Sequence, residues 1–253
     1  MHERFPVISG AESLYIEGNE IGILISHGFL GTPQSVRFLG EKLANYGYTV
    51  SAPRLKGHGT SYLDIEKCTE EDWFASLEKA YLDLKKRCKT IFVMGQSMGG
   101  ALTLWLASKY REIDGIILIN AALSLPSYEY LRNAASPRYL GEGKPDIKAE
   151  NVFEITYDKV PLKAIHQLQN IMDKTPAVLA QVHCPVLAIK SAVDNVVPPK
   201  NTDYIMGNIK STTKKMIVLQ NSYHVASMDN DKEQIAEETH MFMQQRIARI
   251  VKA

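Results

Sequence analysis

The sequence predicts an α/β chain with a mostly parallel sheet covered by helices on both faces. Three observations carry that reading. Short, continuously apolar runs alternate with helical patterns along most of the 253 residues. Strands buried on both faces read as unbroken hydrophobic runs, as parallel strands do. Finally, the turn residues fall between these runs, in the rhythm of βα units whose crossovers are right-handed.

Each element follows from its residues. Ile21–Ser26 (IGILIS) reads as a buried strand. Ser35–Tyr46 then places Val36, Leu39 and Leu43 at helical spacing, and Gly47 ends the helix. Tyr48–Ala52 is strand-like, and Glu71–Cys88 is a long amphipathic helix carrying Trp73, Leu77, Ala80, Tyr81 and Leu84. Thr90–Met94 is a strand, Met98–Tyr110 a helix and Gly115–Asn120 (GIILIN) a strand. Pro185–Lys190, a helix around Thr202–Gly207, Lys215–Leu219 and a helix over Gln234–Val251 complete the pattern.

One interval breaks the alternation. Between Ala121 and Val182 no strand is evident, but Pro126, Pro137, Gly141, Gly143, Pro145 and Pro161 occur with helical fragments such as Leu162–Met172. Excursions of this length are usually functional. It reads as an insertion over one end of the sheet; two extra helices packed on a sheet face are the alternative. The expected organisation is one domain over 1–253, about 190 residues of core plus a cap of about 60 at 121–182.

Composition removes several function classes. Lys plus Arg number 29 against 28 Asp plus Glu, for a net charge of +1. That leaves no electrostatic footprint for a nucleic-acid partner or a polybasic membrane anchor. Cys68, Cys88 and Cys184 are odd in number, far apart and lack a C-x-x-C pair, so neither a disulfide framework nor a zinc site is indicated. The first twenty residues hold no apolar targeting core. The longest apolar stretches, near Ile21–Ile25 and Ile116–Ile119, fall far short of the ~20 residues of a membrane span. A soluble cytoplasmic protein is expected.

The strongest chemical signal is G-x-S-x-G at Gly95-Gln96-Ser97-Met98-Gly99, directly after a strand and before a helix. There a serine sits on a tight strand-to-helix turn with its hydroxyl exposed. The flanking glycines leave room that a Cβ would fill, and the helix N-terminus favours an anion nearby. A serine nucleophile needs a base, and the base an orienting carboxylate. Asp194 follows the strand Pro185–Lys190 and His224 follows Lys215–Leu219. Consecutive parallel strands bring these two loops together, near Ser97. The alternatives are a turn or cap role for Asp194 and a plain loop histidine at His224.

An oxyanion hole needs two N–H donors. Met98, the residue after the serine, supplies one, and Phe29 in the loop after the first strand supplies the other. His27 and His58 read as structural loop histidines, and Cys184 as a core residue. His2, His166, His183 and His240 carry no functional signal.

These residues together resemble the α/β-hydrolase superfamily over the whole chain, and within it the small Bacillus-type monoacylglycerol lipases and carboxylesterases. The likeness rests on His27-Gly28-Phe29-Leu30-Gly31-Thr32-Pro33, Pro53–Thr60, Gly95–Gly100, Asp194 with Val197-Pro198-Pro199, and Asn221–Ala226. The bacterial enzymes often carry Leu where this chain has Gln96, a side chain expected to point away from the nucleophile. The resemblance implies hydrolysis of monoacylglycerols to glycerol and fatty acid through an acyl-enzyme, without metal or cofactor. It also implies a cap forming the acyl tunnel, and a cap glutamate, best matched by Glu154, that binds the glycerol hydroxyls.

Leu123, Leu125, Leu131, Leu140, Ile171 and Met172 suit such a tunnel or equally ordinary packing. Contact with membrane through the cap is expected to be transient at most. The competing readings are a broad short-chain or aromatic-acid carboxylesterase and, more remotely, a non-catalytic ligand-binding member of the fold.

Overall fold

In the computed structural model, residues 3–250 are described; His2 and the expected helix end at Val251 lie outside them. The chain runs β1 (Leu14–Ile16), β2 (Ile21–Ser26), α1 (Gln34–Asn45), β3 (Thr49–Ala52), α2 (Tyr62–Ile65), α3 (Glu70–Lys85), β4 (Thr90–Gln96), α4 (Met98–Lys109) and β5 (Gly115–Ile119). After these come α5 (Pro126–Glu129), β6 (Tyr139–Gly141), β7 (Lys159–Pro161), α6 (Leu162–Val178), β8 (Val186–Ser191), α7 (Lys200–Asn208), β9 (Lys214–Leu219) and α8 (Lys232–Ile250). Seven strands form one sheet in the order β1-β3-β2-β4-β5-β8-β9. All pairings in it are parallel except that of β1 with β3.

Alternate residues of each central strand face opposite layers, as the period of two requires. Ile23, Ile25, Phe92, Met94, Ile117, Ile119, Leu187 and Ile189 pack with Val36, Leu39 and Leu43 of α1 and Ile235, Phe242 and Met243 of α8. Leu24, Val93, Ile116, Leu118 and Val186 pack the other way, with Leu77 and Tyr81 of α3 and Leu102 and Leu106 of α4. Each such side chain contributes roughly 1.5–3 kcal/mol on burial, which makes both faces apolar and the strands continuous hydrophobic runs.

α4 is buried nearly all round because α6 covers it; Trp105 donates its indole N–H to Thr175 Oγ1 at 2.9 Å across that contact. α3 starts on a capping box in which Thr69 and Asp72 satisfy each other's backbone N–H groups.

The interval between β5 and β8 differs from the expectation of a strandless segment. β6 and β7 pair antiparallel into a separate two-stranded sheet. α6 continues to Val178, through Pro176, because a proline in the last turn sacrifices only one helical N–H. Besides Trp105 and Thr175, several hydrogen bonds tie the segment to the core. Tyr157 donates to Gly57 O at 2.6 Å and accepts from Thr60 N at 2.8 Å. Gln34, at the start of α1, bonds Phe153 O and Ile155 N through its amide. Asp229 accepts the N–H groups of Lys148 and Ala149, and Asp146 holds the loops after β8 and β9. Among the described residues no helix is long and apolar enough to cross a membrane.

Candidate active site

β4 stands in the middle of the sheet, so its C-terminal end lies between the loops that leave β2 and β5. Ser26 pairs with Gly95, and Gln96 with Ile119. The chain then reverses at Ser97, whose φ of 56° and ψ of −121° lie outside the ordinary regions for a residue with a side chain. The turn is possible because of its glycines. A Cβ on Gly95 would sit 2.1 Å from Gly99 O, and one on Gly99 would sit 2.5 Å from both Ser26 O and His27 O. The backbone N–H of Ser97 donates to Ile119 O at 2.9 Å, which locks the turn against β5.

The structure brings Ser97, Asp194 and His224 together. His224 Nε2 is 2.9 Å from Ser97 Oγ, and its Nδ1 is 2.8 Å from Asp194 Oδ2. All three are buried, Asp194 most deeply. An ionised Asp194 holds the ring proton on Nδ1, so Nε2 is left to accept from the serine hydroxyl. Asp194 also serves as a turn residue, because its other oxygen accepts Val196 N and Val197 N at 2.9 and 2.7 Å. Those two bonds hold the carboxylate still while Oδ2 faces the imidazole.

The donors proposed for an oxyanion lie beside the serine. Gly28 approaches so closely that a Cβ on it would stand 3.3 Å from Ser97 Cβ, and Phe29 follows directly. Among the described residues the N–H groups of Phe29 and Met98 have no acceptor. Leu30 then adopts φ 61°. The Phe29 ring rests on Trp73 at 5.8 Å between centroids and edge-on to His58 at 6.4 Å.

His27 and His58 meet edge-on behind this loop, with ring centroids 5.1 Å apart. His27 Nε2 accepts Leu55 N at 3.2 Å while Nδ1 faces Gly28 O at 2.9 Å. Burial pulls the His27 imidazole down to about 4 and pushes that of His58 well below its usual range. His27 is a neutral tie between two loops, whereas the His58 ring faces Lys56 O of its own loop and its Nε2 has no partner among the described residues. Cys184 is pushed up to about 12 by burial and holds no thiolate at neutral pH.

A cavity of about 120 Å³ opens over Ser97 and His224. Phe29, Leu30, Leu125, Leu168 and Val196 give it apolar walls, and Tyr128, Glu142, Glu154 and Thr156 give it polar ones. Of the six apolar residues weighed for a tunnel, Leu125 lines this cavity; Leu131, Ile171 and Met172 are packed in the core. Glu154 reaches it from a stretch pinned on both sides by Gln34. Its carboxyl lies against the Phe29 loop, 2.9 Å from where a Cβ on Gly31 would be. Burial lifts that carboxyl to about 7, partly opposed by the nearby His224.

Several residues that hold the site carry no recognisable pattern in the sequence. Asp146 Oδ2 accepts the backbone N–H of both Asn195 and His224 at 3.1 Å, and its Oδ1 accepts Asn195 Nδ2 at 2.8 Å. Asn120, in a left-handed conformation at the end of β5, donates to Ser191 Oγ and His224 O and accepts Ser191 N. Gln96 turns away from the nucleophile, and its Oε1 accepts Ser227 N at 3.1 Å, clasping the loop beyond His224. Among the described residues no group of three or more His, Cys, Asp or Glu is placed to hold a metal ion.

Comparison with known proteins agrees with this architecture. The family model described as Serine aminopeptidase, S33 (Hydrolase_4) matches residues 20–231. The chain is 48% identical to the thermostable monoacylglycerol lipase of Bacillus sp. (strain H-257), over 96% of this chain and 98% of that protein. It is 24% identical to a carboxylesterase of Bacillus subtilis (strain 168), over 90% and 94%. A solved structure from work on two metagenome-derived lipolytic enzymes, LipS and LipT, superposes with a TM-score of 0.92 at 45% identity, covering 95% of this chain and all of that one. The chain belongs to the Hydrolase_4 family, serine aminopeptidase S33, and is a serine hydrolase of the α/β-hydrolase fold.

Proposed function

We propose that this protein hydrolyses monoacylglycerols to glycerol and free fatty acid through an acyl-enzyme on Ser97. The observation that carries the proposal is the continuous hydrogen-bonded line from Asp194 through His224 to Ser97, opening into a cavity with apolar and carboxyl-bearing walls. Full-length likeness to proteins named for ester hydrolysis supports an ester over the peptide bond in the family's description.

In this reading His224 takes the Ser97 proton as the hydroxyl oxygen attacks the ester carbonyl. Asp194 fixes the imidazole tautomer and stabilises its positive form. The N–H groups of Phe29 and Met98 bind the oxygen that becomes negative. His224 then protonates the departing glycerol oxygen, and a water attacking the acyl-enzyme is deprotonated in the same way. Glu154 binds the glycerol hydroxyls before release.

Residues 121–182 form the cap that encloses the ester. Tyr130 and Phe153, 73% and 76% exposed on this segment, fit passing contact with a lipid surface. The three cysteines are free thiols, which fits a reducing compartment, and we place the enzyme in the cytoplasm.

The test is a substrate profile on purified protein: monoacylglycerols of increasing chain length against p-nitrophenyl and cinnamoyl esters. The reading expects the highest kcat/KM on monoacylglycerols and loss of turnover in Ser97→Ala with the fold intact. A preference for short-chain or cinnamoyl esters would replace it with a general carboxylesterase.

A further inference from the structure

The cavity holds more polar chemistry than the reaction above uses. Glu142 follows β6 directly, and its backbone N–H donates to Asp158 O at 3.0 Å, so the residue is anchored to the β6–β7 hairpin. Its half-buried side chain lines the same cavity as Ser97, His224 and Glu154, beside Tyr128 and Thr156. Among the described residues no group donates a hydrogen bond to the carboxyl of Glu142 or of Glu154. Glu154 is half-buried, and its carboxyl has no hydrogen-bond partner among the described residues.

Buried polar groups without partners are costly to a fold. Glu142 and Glu154, both half-buried and unpartnered, face one cavity over a nucleophile, where the hydroxyls of a ligand would satisfy them.

We propose that Glu142 is a specificity-determining residue that gives the alcohol subsite a second carboxyl, so that Glu142 and Glu154 each bind one free hydroxyl of a polyol leaving group. The inference rests on the ester-hydrolase reading and adds to it a two-point requirement on the alcohol. A monoacylglycerol carries two free hydroxyls; a methyl ester carries none.

Burial lifts the Glu142 carboxyl to about 7, and its charge contributes to the rise at Glu154. Near neutral pH each carboxyl can thus donate to a hydroxyl or accept from one. Tyr128, Lys144, Glu154 and His224 are the other titratable side chains on the cavity wall, apart from Asp146, which is committed to the loops after β8 and β9.

A site built to hydrogen-bond a substrate hydroxyl discriminates strongly against the analogue that lacks it. The experiment measures kcat/KM for 1-monolauroylglycerol and for methyl laurate with the full chain, as wild type, Glu142→Ala, Glu142→Gln and Glu154→Gln. Rates are scaled to active sites titrated with a phosphonate, so misfolded protein does not count. The ratio of the two kcat/KM values should fall about tenfold in Glu142→Ala. A smaller fall in Glu142→Gln is expected, since an amide still donates and accepts.

A Glu142→Ala ratio within about twofold of wild type, or equal losses on both esters, overturns the role of Glu142. If the wild-type ratio is itself near one, the polyol-ester reading fails. A high wild-type ratio that survives in Glu142→Ala but collapses in Glu154→Gln sinks only the present inference.

Discussion

Asp146 accepts the backbone N–H of His224 at 3.1 Å across 78 residues of chain, and with the same oxygen it accepts Asn195 N. One carboxylate from the segment between β5 and β8 therefore fixes the loop of Asp194 and the loop of His224 relative to each other. Removing it leaves Ser97, Asp194 and His224 in place but loosens the distances between them. A misplacement of about 1 Å costs about a hundredfold in rate. Asp146→Ala should lower kcat by between about tenfold and a hundredfold, with KM changed by less than about twofold. Asp146→Asn, which keeps one acceptor, should fall between. Steady-state kinetics on one ester decides it, and an unchanged kcat in Asp146→Ala contradicts the role.

The strained backbone at Ser97 has a thermodynamic signature. A residue with a side chain at φ 56° and ψ −121° costs on the order of 1–3 kcal/mol, and glycine does not bear that cost. Ordinarily glycine is less stable than alanine by roughly 0.4–1 kcal/mol through the unfolded chain. Here the order should invert, with Ser97→Gly more stable than Ser97→Ala by about 1 kcal/mol in urea unfolding. Both lack the hydroxyl, so the comparison isolates the turn. A more stable alanine variant would show that the turn is unstrained.

Glu154 links the site to pH. Burial raises its carboxyl in the folded protein to about 7, from the 4.5 usual for a glutamate. The folded state therefore holds this proton more tightly than the unfolded chain does. Its contribution to stability is complete below pH 4.5 and is lost as pH rises through 7. Glu154→Gln carries no charge at any pH, so its stability relative to wild type should increase from about pH 5 to about pH 7 and level off by about pH 8. Urea midpoints of both proteins across that range measure it. A constant difference would place the carboxyl in solvent.

The sheet was legible wherever a strand is buried on both faces, because Ile21–Ser26, Thr90–Gln96 and Gly115–Ile119 are apolar without interruption. β1 was not, since Leu14–Ile16 is a three-residue edge with one face exposed and lacks the length for a pattern. β6 and β7 are equally short, and their pairing joins positions some twenty residues apart. The helical fragment read at Leu162–Met172 is longer than its pattern showed, since α6 runs to Val178 with Pro176 in its last turn.

Ser97, Asp194 and His224 were readable because each sits just beyond the end of a recognisable strand, and strand order alone brings such loops together. Asp146, Asn120 and Glu142 were not. Their partners lie between 16 and 104 residues away, and nothing in a carboxylate's immediate neighbours tells which distant amide it will meet.

The central claim is that Ser97 is a nucleophile activated by His224. It is tested most directly by treating the folded protein with a fluorophosphonate and locating the adduct by peptide mass spectrometry. The account predicts one adduct, on Ser97, formed rapidly in wild type and slowed by at least about a hundredfold in His224→Ala. No adduct on the folded protein, or an adduct on another residue at the same rate, would contradict it.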